Sequence, residues 1–100
     1  MYAVIFKATI KEFDEEYFRV AERLKDLAFK KYGCLDFVSV TEGDQEISIS
    51  YWESQSRIRA WKNDPEHRSA QEMGRTKWYG SYRVEICELS RSYENAPAER

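Results

Sequence analysis

His67 is the only histidine among the 100 residues, so it is the one side chain whose ordinary pKa lies near neutrality. The Asp64-Pro65-Glu66 run before it reads as a helix start: a capping aspartate, proline at the first helical position, and an acid in the first turn. His67 then falls in that first turn as well. The helix dipole there disfavours the imidazolium, while Asp64 and Glu66 favour it. A neutral His67 accepts a phenolic proton, which is the task of a general base. Helical spacing sets His67 on one face with Ala70, Gln71, Gly74 and Trp78, and Gly74 leaves room on that face. The plainer reading, a surface or capping histidine beside two acids, stays open.

Trp52, Trp61, Trp78 and Tyr79 are the second feature. Rings of this kind hold a flat ligand by stacking, and they fill a core or a subunit interface equally well. For Trp78 and Tyr79 the packing role competes most directly. Arg75 and Lys77 beside them suit a ligand carboxylate, or simply an exposed helix end. Arg57 and Arg59 read as a solvated helix face. Several chemistries find no residues to carry them. No Gly-rich phosphate loop, flavin or nicotinamide fingerprint, or Gly-x-Ser-x-Gly elbow occurs. No second histidine exists to build a facial metal triad. No cofactor and no metal are therefore expected. Cys34 and Cys87 match no zinc spacing and read as two buried thiols of a cytoplasmic protein. Cys34 follows Lys30-Lys31 at a helix end, where the dipole raises a thiol pKa.

Positioning these residues takes one domain, the size that a chain of this length makes. Hydrophobic residues at 42% and few glycines and prolines exclude a disordered or collagen-like chain. A net charge of −2 argues against a duplex nucleic-acid binder. No apolar run approaches the ~20 residues of a membrane helix. Met1–Phe6 is too short and wrongly flanked for a signal peptide. Fifteen aromatics are many for so small a domain and point to burial against a second copy.

Tyr2–Ile10 reads as a strand that is partly apolar on both faces. Asp14 caps a helix whose stripe is Tyr17, Val20, Ala21, Leu24, Leu27 and Ala28. Gly33 suits the position just past its end. Phe18 and Phe29 fall off the stripe. Cys34–Thr41 and Glu46–Trp52 form a hairpin around Glu42-Gly43-Asp44. In the second of these strands, Ile47, Ile49 and Tyr51 alternate with Ser48, Ser50 and Trp52. Ser54 caps a helical segment carrying Ile58 and Trp61, which breaks near Asn63 and resumes until about Gly74. Arg83–Leu89 is the last strand. Ser90–Arg100 loses apolar periodicity and reads as a mobile tail, with Tyr93 expected to anchor its start. Residues 1–90 are then one domain and 91–100 a flexible tail. The order strand, helix, strand, strand, helix, strand is the α+β, ferredoxin-like βαββαβ pattern. Two helical regions cover one face of a four-stranded antiparallel sheet. The strands are two-sided, so the second face requires another subunit.

Trp52, Trp61, His67, Gln71, Gly74-Arg75, Trp78-Tyr79, Tyr82 and Val84, in that spacing after a hairpin, resemble the antibiotic biosynthesis monooxygenase-like family of dimeric α+β barrels. The element order matches over about residues 1–90 and the residue pattern over about 50–84. The resemblance implies a homodimer, sheets face to face, with a pocket between sheet and helices in each subunit. It also places Trp61 in the pocket wall. The family includes cofactor-independent oxygenases acting on quinols and aromatic polyketides, and haem-degrading enzymes. The haem branch uses an Asn in the first strand, a Trp, and a His ten residues after it. Here Trp61 is present, Gln71 stands at the His position and Lys7 near the Asn position. Haem degradation is therefore not expected.

Two functional expectations follow. One is a cofactor-independent monooxygenase for a small aromatic, quinol or polyketide-type substrate. In it His67 removes a proton, Trp61 stacks, and Trp52, Gln71, Trp78 and Arg75 bind the substrate. The anion so formed is reducing enough to meet oxygen directly. The other is a non-enzymatic, ligand-binding or stress-related homodimer that uses the same pocket.

Overall fold

The computed structural model describes residues 1–96. Its strands and helices follow from short-range signals. β1 (Tyr2–Ile10) alternates between two sheet faces. The Asp14 carboxylate caps α1 (Glu15–Lys30), accepting from the Tyr17 amide at 2.8 Å, with Glu15 and Glu16 in the first turn. The α1 stripe buries Tyr17, Leu27 and Ala28. The helix ends at Lys31, and Gly33, at φ 76°, comes one residue later than expected. Tyr32 takes the extra place, its amide donating to the Leu27 carbonyl at 3.2 Å and its hydroxyl to the Asp64 carboxylate 2.5 Å away.

β2 (Asp36–Glu42) and β3 (Gln45–Trp52) form the hairpin. Gly43, at φ 61°, occupies the first place of its two-residue turn, where glycine alone is unstrained. α2 (Gln55–Lys62) is capped by Ser54 and α3 (Pro65–Met73) by Asp64, with the break at Asn63. A single π-type turn, Gly74–Trp78, leads into β4 (Tyr79–Glu88). β4 starts four residues before the expected Arg83, because a bulge hides its alternation. Thr9 pairs with Ser81 and Ile10 with Tyr79, leaving Gly80 unpaired. The bulge turns Tyr79 and Tyr82 to the same face.

The sheet order is β2-β3-β1-β4, antiparallel throughout. The helices cover the face carrying Val4, Glu46, Ser50 and Trp52. The core gathers Val4, Ala28, Cys34, Trp52, Ile58 and Trp61. Trp52 is wholly buried; removing on the order of 200 Å² from water contributes about 5 kcal/mol. The helix layer stops short of β4, so Tyr82, Val84 and Ile86 stay exposed on the helix side. Val38, Val40 and Ile47 are exposed on the opposite face.

Three smaller expectations change. Tyr93 does not anchor the tail among the described residues: it is 85% exposed, with the Arg91 guanidinium 5.9 Å from its ring centre. Cys87 is exposed, since it lies on the uncovered face of edge strand β4. The Cys34 thiol is pushed up chiefly by burial, not by the helix end. Of the tail, residues 97–100 lie outside the described residues. No helix among the described residues is long and apolar enough to cross a membrane.

Candidate functional site

His67 sits in the first turn of α3, where the Asp64 cap and Pro65 place it. Its ring stands edge-on against Trp61, with centroids 4.4 Å apart and planes at 76°. Nδ1 is buried and has no hydrogen-bond partner among the described residues. Burial pushes the imidazole pKa below its ordinary value, and the residue's own backbone, then Asp64, only partly oppose this. The ring is therefore neutral at neutral pH, the protonation state that a base requires. Gln71 lies one turn further along α3 and is half-buried. Arg75, in the π-type turn, is exposed and pairs with Glu72.

Trp61 donates its indole N–H to the Leu24 carbonyl at 3.2 Å, tying α2 to α1. Trp52 lies behind it at 5.2 Å, its ring tilted by 34°, and donates to the Ser50 hydroxyl at 2.8 Å. Trp52 thus backs Trp61 and has no exposed surface of its own. The structure brings His67, Trp61 and Trp52 into one aromatic cluster. It places Trp78 apart from them, edge-on to Tyr17 at 5.3 Å. Trp78 borders a cleft of about 290 Å³ between α1 and α3, with Val20, Leu24, Ala70 and Met73, spanned by the Arg23–Glu66 ion pair. A second hollow of about 430 Å³ lies at the Lys7–Arg83 end of the sheet. His67 lines neither.

A third cluster was missed from sequence. Glu46, on β3, is 5% exposed, and no cation lies within ion-pair distance among the described residues. Its carboxylate accepts instead from two phenols: Tyr17 on one oxygen, and Tyr79 on the other at 3.0 Å. The two hydroxyls lie 3.3 Å apart. Burial first, then the neighbouring Glu46 or Tyr17, drives both tyrosine pKa values upward, so both hydroxyls keep their protons. Phe13 stacks on Tyr17 at 3.6 Å, while Phe6 and Tyr82 approach Tyr79 at 5.3 and 6.1 Å. One signal could have found Glu46. It shares strand parity with Ser48, Ser50 and Trp52, so it had to lie on the helix-covered face. No group of three or more His, Cys, Asp or Glu that could hold a metal ion occurs among the described residues.

A family profile described as antibiotic biosynthesis monooxygenase matches residues 1–73. The chain is 42% identical over 91 residues to the uncharacterized protein YqjZ of Bacillus subtilis (strain 168), spanning 90% of this chain and 80% of that protein. SnoaB, a cofactor-independent oxygenase from Streptomyces nogalater, superimposes with a TM-score of 0.77 at 12% identity, over 94% of this chain and 97% of SnoaB. A conserved protein from Methanosarcina mazei Go1 does so with a TM-score of 0.74 at 14% identity, over 86% and 89%. At these identities the two structures are similar in fold alone.

Proposed function

This chain belongs to the antibiotic biosynthesis monooxygenase family, and from that premise we propose that it is a cofactor-independent monooxygenase for a small aromatic, quinol or polyketide-type substrate, working as a homodimer. The observation that carries the reading is the half-buried, neutral imidazole of His67, whose Nδ1 is itself buried and has no partner among the described residues. His67 takes the proton of an electron-rich hydroxyl. The anion then gives its electrons to oxygen at a ring carbon: a C–O bond forms there, the O–O bond and that carbon's C–H bond break, one oxygen atom stays as a carbonyl, and the other leaves as water with that hydrogen and the proton returned by His67. Trp61 holds the imidazole ring edge-on, with Trp52 behind it. Gln71, Arg75 and Trp78 are the further substrate contacts. Water exclusion protects the anion.

One observation favours the second reading, a homodimer that binds a small aromatic without turning it over: His67 lines neither hollow. Oxygen uptake with a panel of hydroquinones, naphthoquinols and anthrones decides between the two. Uptake that saturates with substrate and falls in His67→Ala supports the oxygenase. Uptake no faster than buffer for every substrate sinks it and leaves the binding protein.

A further inference from the structure

We propose, resting on the substrate class above, that Glu46 is the hydroxyl-recognising group of a phenol subsite whose place the Tyr79 side chain holds. An isolated buried carboxylate is costly, and proteins ordinarily offset it with a cation. Glu46 has no such cation among the described residues; phenols alone satisfy it. The site is thus already complementary to a phenol: an acceptor at the bottom and aromatic rings around it.

Of the two phenols, Tyr79 is the one that can yield. Tyr17 is buried within α1, stacked on Phe13 and edge-on to Trp78. Tyr79 is half-buried at the junction of the π-type turn and the bulged start of β4. Its ring rests over Gly74, where a Cβ would come within 3.1 Å of it. Beyond it, Tyr82 and Val84 form an uncovered apolar strip on the helix side of the sheet. A ligand entering along that strip reaches Glu46 by taking over the hydrogen bond that Tyr79 makes. The same exchange selects for hydroxyl-bearing rings, since a ligand without a hydroxyl would strand the carboxylate.

The test titrates 2-naphthol and its methyl ether into the full chain and follows binding by fluorescence. Naphthol should bind about tenfold more tightly than the ether, as befits a hydrogen bond to a charged group. Glu46→Gln, checked for folding by circular dichroism, should erase the difference. Tyr79→Phe should tighten naphthol severalfold, because the ligand no longer displaces an internal donor; a merely structural Tyr79 would give the opposite. Should Glu46→Gln fail to fold, Tyr79→Phe alone decides. Equal binding of naphthol and ether, no saturable naphthol binding, or weaker binding in Tyr79→Phe overturns the subsite. Oxygen uptake is followed in parallel. Glu46-dependent selectivity without uptake from any substrate leaves the subsite standing and removes the oxygenase. Uptake without selectivity does the reverse.

Discussion

Burial of the His67 ring gives the protein a pH dependence of definite sign. The folded-state pKa lies below the ordinary 6.5, so the unfolded chain binds the extra proton first as pH falls. Stability from the neutral ring is complete above about pH 6.5 and is lost as pH drops through that value toward the depressed pKa. Urea midpoints should fall between about pH 7.5 and about pH 5.5 more steeply in the wild-type chain than in His67→Gln. Equal slopes would assign the effect to another group. As the base, His67 should also cost about 10²–10⁴-fold in oxygen uptake when replaced by Ala. Trp61 needs a different substitution. It is a core residue hydrogen-bonded to α1, so Trp61→Ala should lose about 3–5 kcal/mol of stability in urea melts. That is a large share of the ~5–15 kcal/mol that holds a domain together. Trp61→Phe, which keeps an aromatic edge for His67, is the variant in which ligand affinity can be read.

The elements that carry the site meet at the α2–α3 junction. There Asp64 accepts from the Glu66 amide at 2.8 Å and from the Tyr32 hydroxyl, with Lys31 3.9 Å away. One side chain thus caps α3, three residues before His67, and through Tyr32 ties it to the end of α1. Asp64→Asn retains an oxygen that can accept from the Glu66 amide, whereas Asp64→Ala leaves both the amide and Tyr32 without it. Thermal melts should therefore rank wild type above Asp64→Asn and Asp64→Asn above Asp64→Ala. An unchanged midpoint in Asp64→Ala would mean that packing alone holds the junction. The Gly80 bulge plays the matching part on the sheet. Tyr79 and Tyr82 are three residues apart and would face opposite ways on a regular strand; the unpaired Gly80 puts both on the helix side.

At the scale of the molecule, the sheet's outer face remains to be covered. Val38, Val40 and Ile47 lie exposed there, with Ile5 and Ile49 half-buried beside them. Contiguous apolar surface of that kind marks an interface. Sedimentation at micromolar concentration should give about twice the 11.9 kDa chain mass, with more than about 1,000 Å² buried between copies. Val38→Lys combined with Ile47→Lys should return the chain to a monomer. A wild-type monomer under those conditions would remove the homodimer from the proposed function.

Signals that act within a few residues were legible in the chain itself. Alternation along Tyr2–Ile10, the Asp14, Ser54 and Asp64 caps, Pro65 at a helix start and Gly43 in the hairpin each bias the backbone through neighbours only. Together they define the element order and the fold. His67 was legible as a candidate from its own position, the lone histidine in the first turn of a capped helix, and Trp61 through the family resemblance. Depth and partnership were not. Trp52 and Trp61 pack against each other while Trp78 sits elsewhere, although all three are the same residue type. Glu46 finds Tyr17 and Tyr79 across 29 and 33 residues of chain. Periodicity says which face of a strand or helix a side chain occupies. What lies across from that face depends on how distant elements pack, and on a one-residue bulge that changes which face Tyr79 takes. Such terms come from long-range burial and hydrogen bonding, so only the tertiary structure decides them.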